Sequence, residues 1–253
     1  MIRSVVFPYE FCIGGCREGV MIGIRGIIRK LCQKTFRFWE LLGIHVTPDH
    51  FFYPIPSTRD LDDALFARQS ECVGIDWNIG VQARYLREVF PKFALEIVFK
   101  ENVGLSLVDA AVLHFMIRYH QPRKIIEIGS GASTRFAANA CLMNAQEGTT
   151  CDLIAVEPYP NSDLEKGFPG LSQLRREKVQ SISVSEFEDC DLVFIDSSHV
   201  VKIGGDVNYE QLEILPRLKP GCLIHFHDIL LPGEYWKDWV KEKHYFWSEQ
   251  YLL

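Results

Sequence analysis

The sequence predicts an α/β fold built on an open, doubly wound, mostly parallel sheet. Three observations predict it. From residue 106 onward, short apolar runs alternate with helical patterns, as in Ile125-Ile126-Glu127-Ile128, Leu153-Ile154-Ala155-Val156 and Leu192-Val193-Phe194-Ile195. Such continuous runs read as strands buried on both faces. The first run ends in Gly129-Ser130-Gly131 and passes straight into a helical pattern. A glycine turn between strand and helix offers a ligand bare backbone and a helix N-terminus. Polar residues then gather where the runs end: Glu127, Glu157, Ser185, Asp196, His227 and Asp228. Open parallel sheets bind their ligands at that edge.

Taken in order, residues 1 to 28 are apolar with interspersed charges, which fits neither a membrane span nor a signal peptide. Ile22 to Leu42 reads as a helix that Gly43 stops. It sets Arg25, Arg29, Lys30, Lys34 and Arg37 beside Ile24, Ile27, Ile28, Leu31 and Phe38. This basic amphipathic segment suits packing on its own domain first and peripheral contact with a membrane second. Phe51-Phe-Tyr-Pro-Ile-Pro56 is extended or looped, and Ser57 to Arg68 is a short helix. Asn78 is placed to cap a helix over Val81 to Phe90, and Pro91 ends it. Ser106 to Tyr119 is a stronger helix, with Asp109 in its first turn and Arg118 in its last. Residues 1–105 thus read as a helical N-terminal lobe covering the acceptor, and 106–253 as the core. The core strands are expected at 124–129, 151–157, 178–184, 190–196 and 222–227. Helices are expected at 132–144, 206–218 and 235–243, and Ser248 opens another.

Composition narrows the function. The 253 residues are 47% hydrophobic and 24% charged, which is globular, and a net charge of -6 disfavours nucleic acid as a partner. The eight cysteines are scattered with no Cys-x-x-Cys spacing, so a zinc knuckle is not expected and a reducing, cytoplasmic setting is. An acid ending the second strand, Glu157, suits the vicinal hydroxyls of a ribose, or is a solvated loop acid. The third glycine of a dinucleotide fingerprint is absent, as is the lysine of a P-loop. Asp196, His227 and Asp228 converge at neighbouring strand ends with the chemistry of a divalent-cation site. His199, three residues beyond Asp196, is either a general base or a loop histidine bonded to backbone.

Glu127-Ile-Gly-Ser-Gly131, Glu157-Pro158, Asp191-Leu-Val-Phe-Ile-Asp196 and Pro220-Gly-Cys-Leu-Ile-His-Phe-His-Asp228 together resemble the class I S-adenosylmethionine-dependent methyltransferases. The whole chain also resembles poorly characterised bacterial methyltransferases. The resemblance implies a Rossmann-like core and S-adenosylmethionine as cofactor. It implies cofactor contacts at Glu127, Gly129, Ser130, Gly131 and Glu157, with Ser185 toward the adenine. The Asp196, His227 and Asp228 set is similar to that of metal-dependent O-methyltransferases of the catechol type, which implies a divalent cation, magnesium or manganese, and places His199 and Asp196 as catalytic residues. The acceptor implied is a hydroxyl of a small molecule or glycan; oligomeric state is not implied.

The pattern departs from the family at its end. Such cores have seven strands, and the sequence shows only five, so a truncated, fragmentary or degenerate copy is expected. Two other readings stand beside methyl transfer. One is a non-catalytic or degenerate protein on the same fold; the other is an NAD-dependent oxidoreductase.

Overall fold

A computed structural model of the chain describes residues 24–97 and 105–253. The readings of residues 1–23, with Cys12 and Cys16, lie outside the described residues. The boundary between two compact units falls between Leu61 and Asp62.

In the first unit, α1 spans Ile24–Leu41. The turn after it closes as the glycine predicts. Gly43 has φ +74°, and the amides of Leu42, Gly43 and Ile44 return to the carbonyls of Trp39 and Glu40 at 2.9–3.0 Å. Trp39 Nε1 donates to Thr35 Oγ1 at 3.1 Å, and the His45 ring stacks on Phe36. Among the described residues no helix is long and apolar enough to cross a membrane.

The second unit carries the sheet. After α2 (Asp63–Ala67) and α3 (Ile79–Arg84) come α4 (Leu107–His120), β1 (Lys124–Ile128), α5 (Ala132–Gln146), β2 (Asp152–Val156) and α6 (Ser162–Lys166). Then follow β3 (Gln173–Arg175), β4 (Leu192–Ile195), α7 (Asp206–Tyr209), β5 (Leu223–Phe226) and α8 (Lys237–Lys241). The strands lie in the order β3-β2-β1-β4-β5, and every pairing is parallel. This is the doubly wound sheet the apolar runs predict, and its order reverses beside β1, where a ligand crevice opens.

Strand periodicity divides the core. Ile125, Leu153, Leu192 and Phe194 face Leu113, Ile117, Ala137 and Cys141 of α4 and α5. Ile126, Ile128, Val193 and Ile195 face Val179, Ile182, Phe187 and Ile214 on the other side. Each of the fully buried Val, Leu, Ile and Phe side chains among these contributes about 1.5–3 kcal/mol. A polar network around the buried Arg118 reinforces the first face. Arg118 reaches Glu96 at 2.8 Å and Glu147 at 2.6 Å, and also bonds Asn144. Those carboxylates raise the guanidinium pKa against the opposing effect of burial.

Three expectations are corrected. Residues 178–184 are not the third strand; that strand is Gln173–Arg175, paired with β2 through Ile154↔Gln173 and Val156↔Arg175. Val179 and Ile182 are buried at a spacing of three, which belongs to the tight helical turn Val179–Ser181 and not to a strand. Asn78 precedes α3 but makes no side-chain cap; it adopts φ +44°, and its amide donates to Asp76 Oδ1 at 3.0 Å. The 206–218 helix is composite, running from α7 through a π turn, Glu210–Ile214, into a 3₁₀ turn, Leu215–Arg217. Its N-cap is Gly205, and Asp206 accepts bonds from Ser198 N at 3.0 Å and Ser198 Oγ at 2.6 Å.

Candidate active site

The glycine turn is built by close approach. Gly129 has φ +78°, and a Cβ there would stand 1.9 Å from the Asp196 carbonyl oxygen. Only glycine lets β1 and β4 end against each other in this way. Gly131 is different: a Cβ there meets nothing within 4 Å, so it borders open space. Thr134 Oγ1 accepts from the Gly131 amide at 3.1 Å and holds the start of α5.

Glu127 lies under this turn, 1% exposed. Ser133 Oγ donates to its Oε1 at 2.5 Å, while Oε2 is buried with no hydrogen-bond partner. Burial pushes its pKa up to about 7, with the nearby Asp196 adding to the shift. An orphaned buried carboxylate oxygen beside open backbone fits a cationic ligand group, such as the ammonium of an amino acid. Glu157, just past β2, turns back over the same loop. Its Oε2 accepts from Ser130 N at 3.3 Å and its Oε1 from Tyr159 N at 2.7 Å. The structure thus brings Glu127, Gly129, Ser130, Gly131 and Glu157 together. Ser185 sits apart from these contacts, on the turn Val184–Glu186, with its hydroxyl 2.8 Å from that of Ser183. That turn is tied to the end of β3 through Arg175 and Glu186 at 2.6 Å.

The second group lies past β4 and β5. Asp196, His227 and Asp228 each offer a ligand atom, all within 4.8 Å of one another. His227 Nδ1 is 3.3 Å from Asp196 and 3.4 Å from Asp228, and its Nε2 is 3.5 Å from Asp109. Neither ring nitrogen completes a hydrogen bond although both are buried. His199 Nε2 is 3.2 Å from Asp196 and 3.9 Å from Asp228. His199 and Asp228 both adopt left-handed backbone, φ +57° and +53°, strain of the kind that clusters at functional sites.

The charges follow from this packing. Burial pulls the His199 pKa down, but Asp196 and Glu249 outweigh it and hold the ring up to about 9. His227 is held up to about 10 in the same way by Asp196 and Asp228. Burial raises Asp196, yet the two imidazoles beside it bring it well below the usual carboxylate range. His225, on the same face of β5, is pushed down to about 4 by burial and by His227. Three carboxylates, Asp196, Asp228 and Glu249, surround the His199 ring.

Sequence reasoning missed the residues that hold His199. The turn Glu249–Leu252 places Glu249, fully buried, so that His199 Nδ1 donates to its Oε2 at 2.9 Å. The amides of Ser248 and Glu249 donate to the His199 carbonyl at 2.8 and 3.1 Å. Gln250 Oε1 accepts from Leu230 N at 3.1 Å, which fastens the loop after β5 to the same turn. Below these groups a cavity of about 880 Å³ follows the free edge of β5, lined by Trp77, Tyr85, Phe90, Met116, His225 and Phe226.

Residues 126–229 match a family model described as a methyltransferase domain. An uncharacterized protein of Archaeoglobus fulgidus is 28% identical, over 56% of this chain and 72% of its own length. The O-methyltransferase TomG from Streptomyces achromogenes, solved with SAM, is 18% identical; the match covers 58% of this chain and 69% of that one, with a TM-score of 0.35. A methyltransferase from Geobacter sulfurreducens is also 18% identical, over 64% of this chain and 83% of that one, with a TM-score of 0.35. Neither likeness, at such TM-scores, bears on the fold or the chemistry. The family match instead falls on the five-stranded parallel sheet and the glycine turn at its crevice, and that sheet has the topology of the class I methyltransferase fold.

Proposed function

We infer that this protein transfers a methyl group from S-adenosylmethionine to a hydroxyl of a small-molecule or glycan acceptor. One observation carries the reading. The backbone of Gly129 lies against Asp196, so the glycine turn and the Asp-His cluster open side by side at one sheet edge. A donor seated on the first then has its neighbour seated on the second.

The residues take their roles from their surroundings. Glu127 Oε2, buried and unpartnered, receives the donor's ammonium. Gly131, with open space where a side chain would stand, lets the donor approach the backbone. Glu157, already an acceptor for two amides, takes the ribose hydroxyls, and the turn carrying Ser185 lies toward the adenine. Asp196, His227 and Asp228 hold a divalent cation, magnesium or manganese. When bound, such a cation lowers the pKa of a coordinated hydroxyl and eases its attack on the sulfonium methyl. Asp196 stays ionised and offers its carboxylate at the acceptor side. His199, held by Glu249, keeps Asp196 and Asp228 in place.

The test is calorimetric titration of the chain with S-adenosylhomocysteine and with NAD, followed by labelled-methyl transfer to a panel of phenols, catechols and glycosides. Binding of the homocysteine compound alone, with label appearing on oxygen, is expected. Binding without turnover across the panel favours a non-catalytic protein on this fold. Binding of NAD alone overturns the reading.

A further inference from the structure

Two imidazoles and two carboxylates alternate around a ring. His199 Nε2 is 3.2 Å from Asp196 Oδ1, and that oxygen is 3.3 Å from His227 Nδ1. His227 Nδ1 is 3.4 Å from Asp228 Oδ2, which is 3.9 Å from His199 Nε2. Neighbouring donors around a cation with bonds of about 2.1 Å stand about 3.0 Å apart in an octahedron and about 3.4 Å apart in a tetrahedron. Three sides of the ring fall within that span, and the fourth is longer. As hydrogen bonds the sides involving His227 fail, since neither of its buried nitrogens completes one.

The outward nitrogens each face a carboxylate. His199 Nδ1 faces Glu249 Oε2 at 2.9 Å, and His227 Nε2 faces Asp109 Oδ2 at 3.5 Å. A carboxylate on the far nitrogen keeps the proton there and leaves the near nitrogen's lone pair for a metal. The His199 imidazole has such a carboxylate bonded outside, the His227 imidazole faces one at 3.5 Å without completing a bond, and both face the same two carboxylates inside. Glu249 is fully buried, and its neighbouring amides hold the His199 carbonyl, so the His199 ring has little freedom to turn away.

We propose that His199 is a fourth protein ligand of this cation site, set in place by Glu249, and that the site takes manganese, iron(II) or zinc in preference to magnesium. Two nitrogen donors among four suit those ions, whereas magnesium favours an all-oxygen shell. Asp109 and Glu249 are positioning residues, acting through the histidines. The inference deepens the methyl-transfer reading and rests on it only for the cation's use; binding is measured with neither donor nor acceptor present.

The experiment titrates manganese(II) into the full, metal-free chain and reads imidazole nitrogens on the bound ion by electron spin-echo modulation. Two nitrogens are expected in the native protein and one in His199→Ala. Manganese affinity should fall about 10–100-fold in Glu249→Gln, the usual effect of losing such a partner, and magnesium should bind more weakly than manganese. A single nitrogen in the native protein, or native affinity in His199→Ala, overturns the proposal. Should the alanine variant not fold, the nitrogen count in the native chain and the Glu249→Gln affinity still decide it. Titration of the same samples with S-adenosylhomocysteine separates the two readings. Retained homocysteine binding with one nitrogen removes the fourth ligand and leaves methyl transfer standing, while two nitrogens without homocysteine binding do the reverse.

Discussion

His199 and Glu249, fifty residues apart in the chain, meet through a single bond in which the imidazole Nδ1 donates to the buried carboxylate at 2.9 Å. Through it, the turn at 249–252 governs the residue that follows β4. The consequences of this and neighbouring contacts are open to direct measurement.

Glu157→Ala should weaken S-adenosylhomocysteine binding at least about tenfold, because a carboxylate that takes two hydroxyls makes charge-assisted bonds. Calorimetry reads the change. Native affinity in a folded variant would remove the ribose assignment.

Glu127→Gln keeps the side chain's size and its contact with Ser133. It removes a carboxyl that burial already pushes up to about 7. Stability should hold or rise, while affinity for the cationic donor should fall about tenfold or more. A parallel loss of stability and affinity would instead mark Glu127 as a packing residue.

Two glycines two residues apart should respond oppositely. Gly129→Ala drives a Cβ into the Asp196 carbonyl at a positive φ and should cost about 3 kcal/mol or more. Gly131→Ala meets nothing and should melt like the native protein, yet bind S-adenosylhomocysteine less well. Urea unfolding and calorimetry on both variants distinguish fold from site.

Stability should fall as pH rises from about 5 to about 8. Burial, with Glu249 and Asp206 nearby, raises Glu210 from 4.5 to about 8 in the folded chain. The native state therefore holds this proton where the unfolded chain has released it. The stabilising effect is complete below 4.5 and is lost as pH climbs through the folded value. Glu210→Gln should flatten this part of the profile in urea titrations at successive pH values, and an unchanged slope would show that the carboxyl is already ionised.

The strands legible in the sequence are those buried on both faces. β1, β2 and β4 carry unbroken apolar runs because helices or loops pack on each side. β3 was not legible: it is an edge strand with one apolar residue, Leu174, between Gln173 and Arg175. The run from Val179 to Val184 offered a more apolar decoy. The strand-end acids and histidines were legible for the same reason as the strands, since each follows an apolar run. Glu249 left no such trace, as its meaning lies in a partner fifty residues away. The sequence marks Asp109 only as a partner of the helix dipole; in the structure it accepts from Ser106 Oγ at 2.5 Å as well as facing His227.

The approach of Gly129 to Asp196 has one more consequence. The Asp196 amide donates to the Ile128 carbonyl at 2.8 Å, so the turn that would seat the donor and the acid that would seat the cation share one wall, a single backbone thick. Occupants of the two sides are then thermodynamically linked. Whatever factor one imposes on the affinity of the other is returned unchanged in the opposite direction.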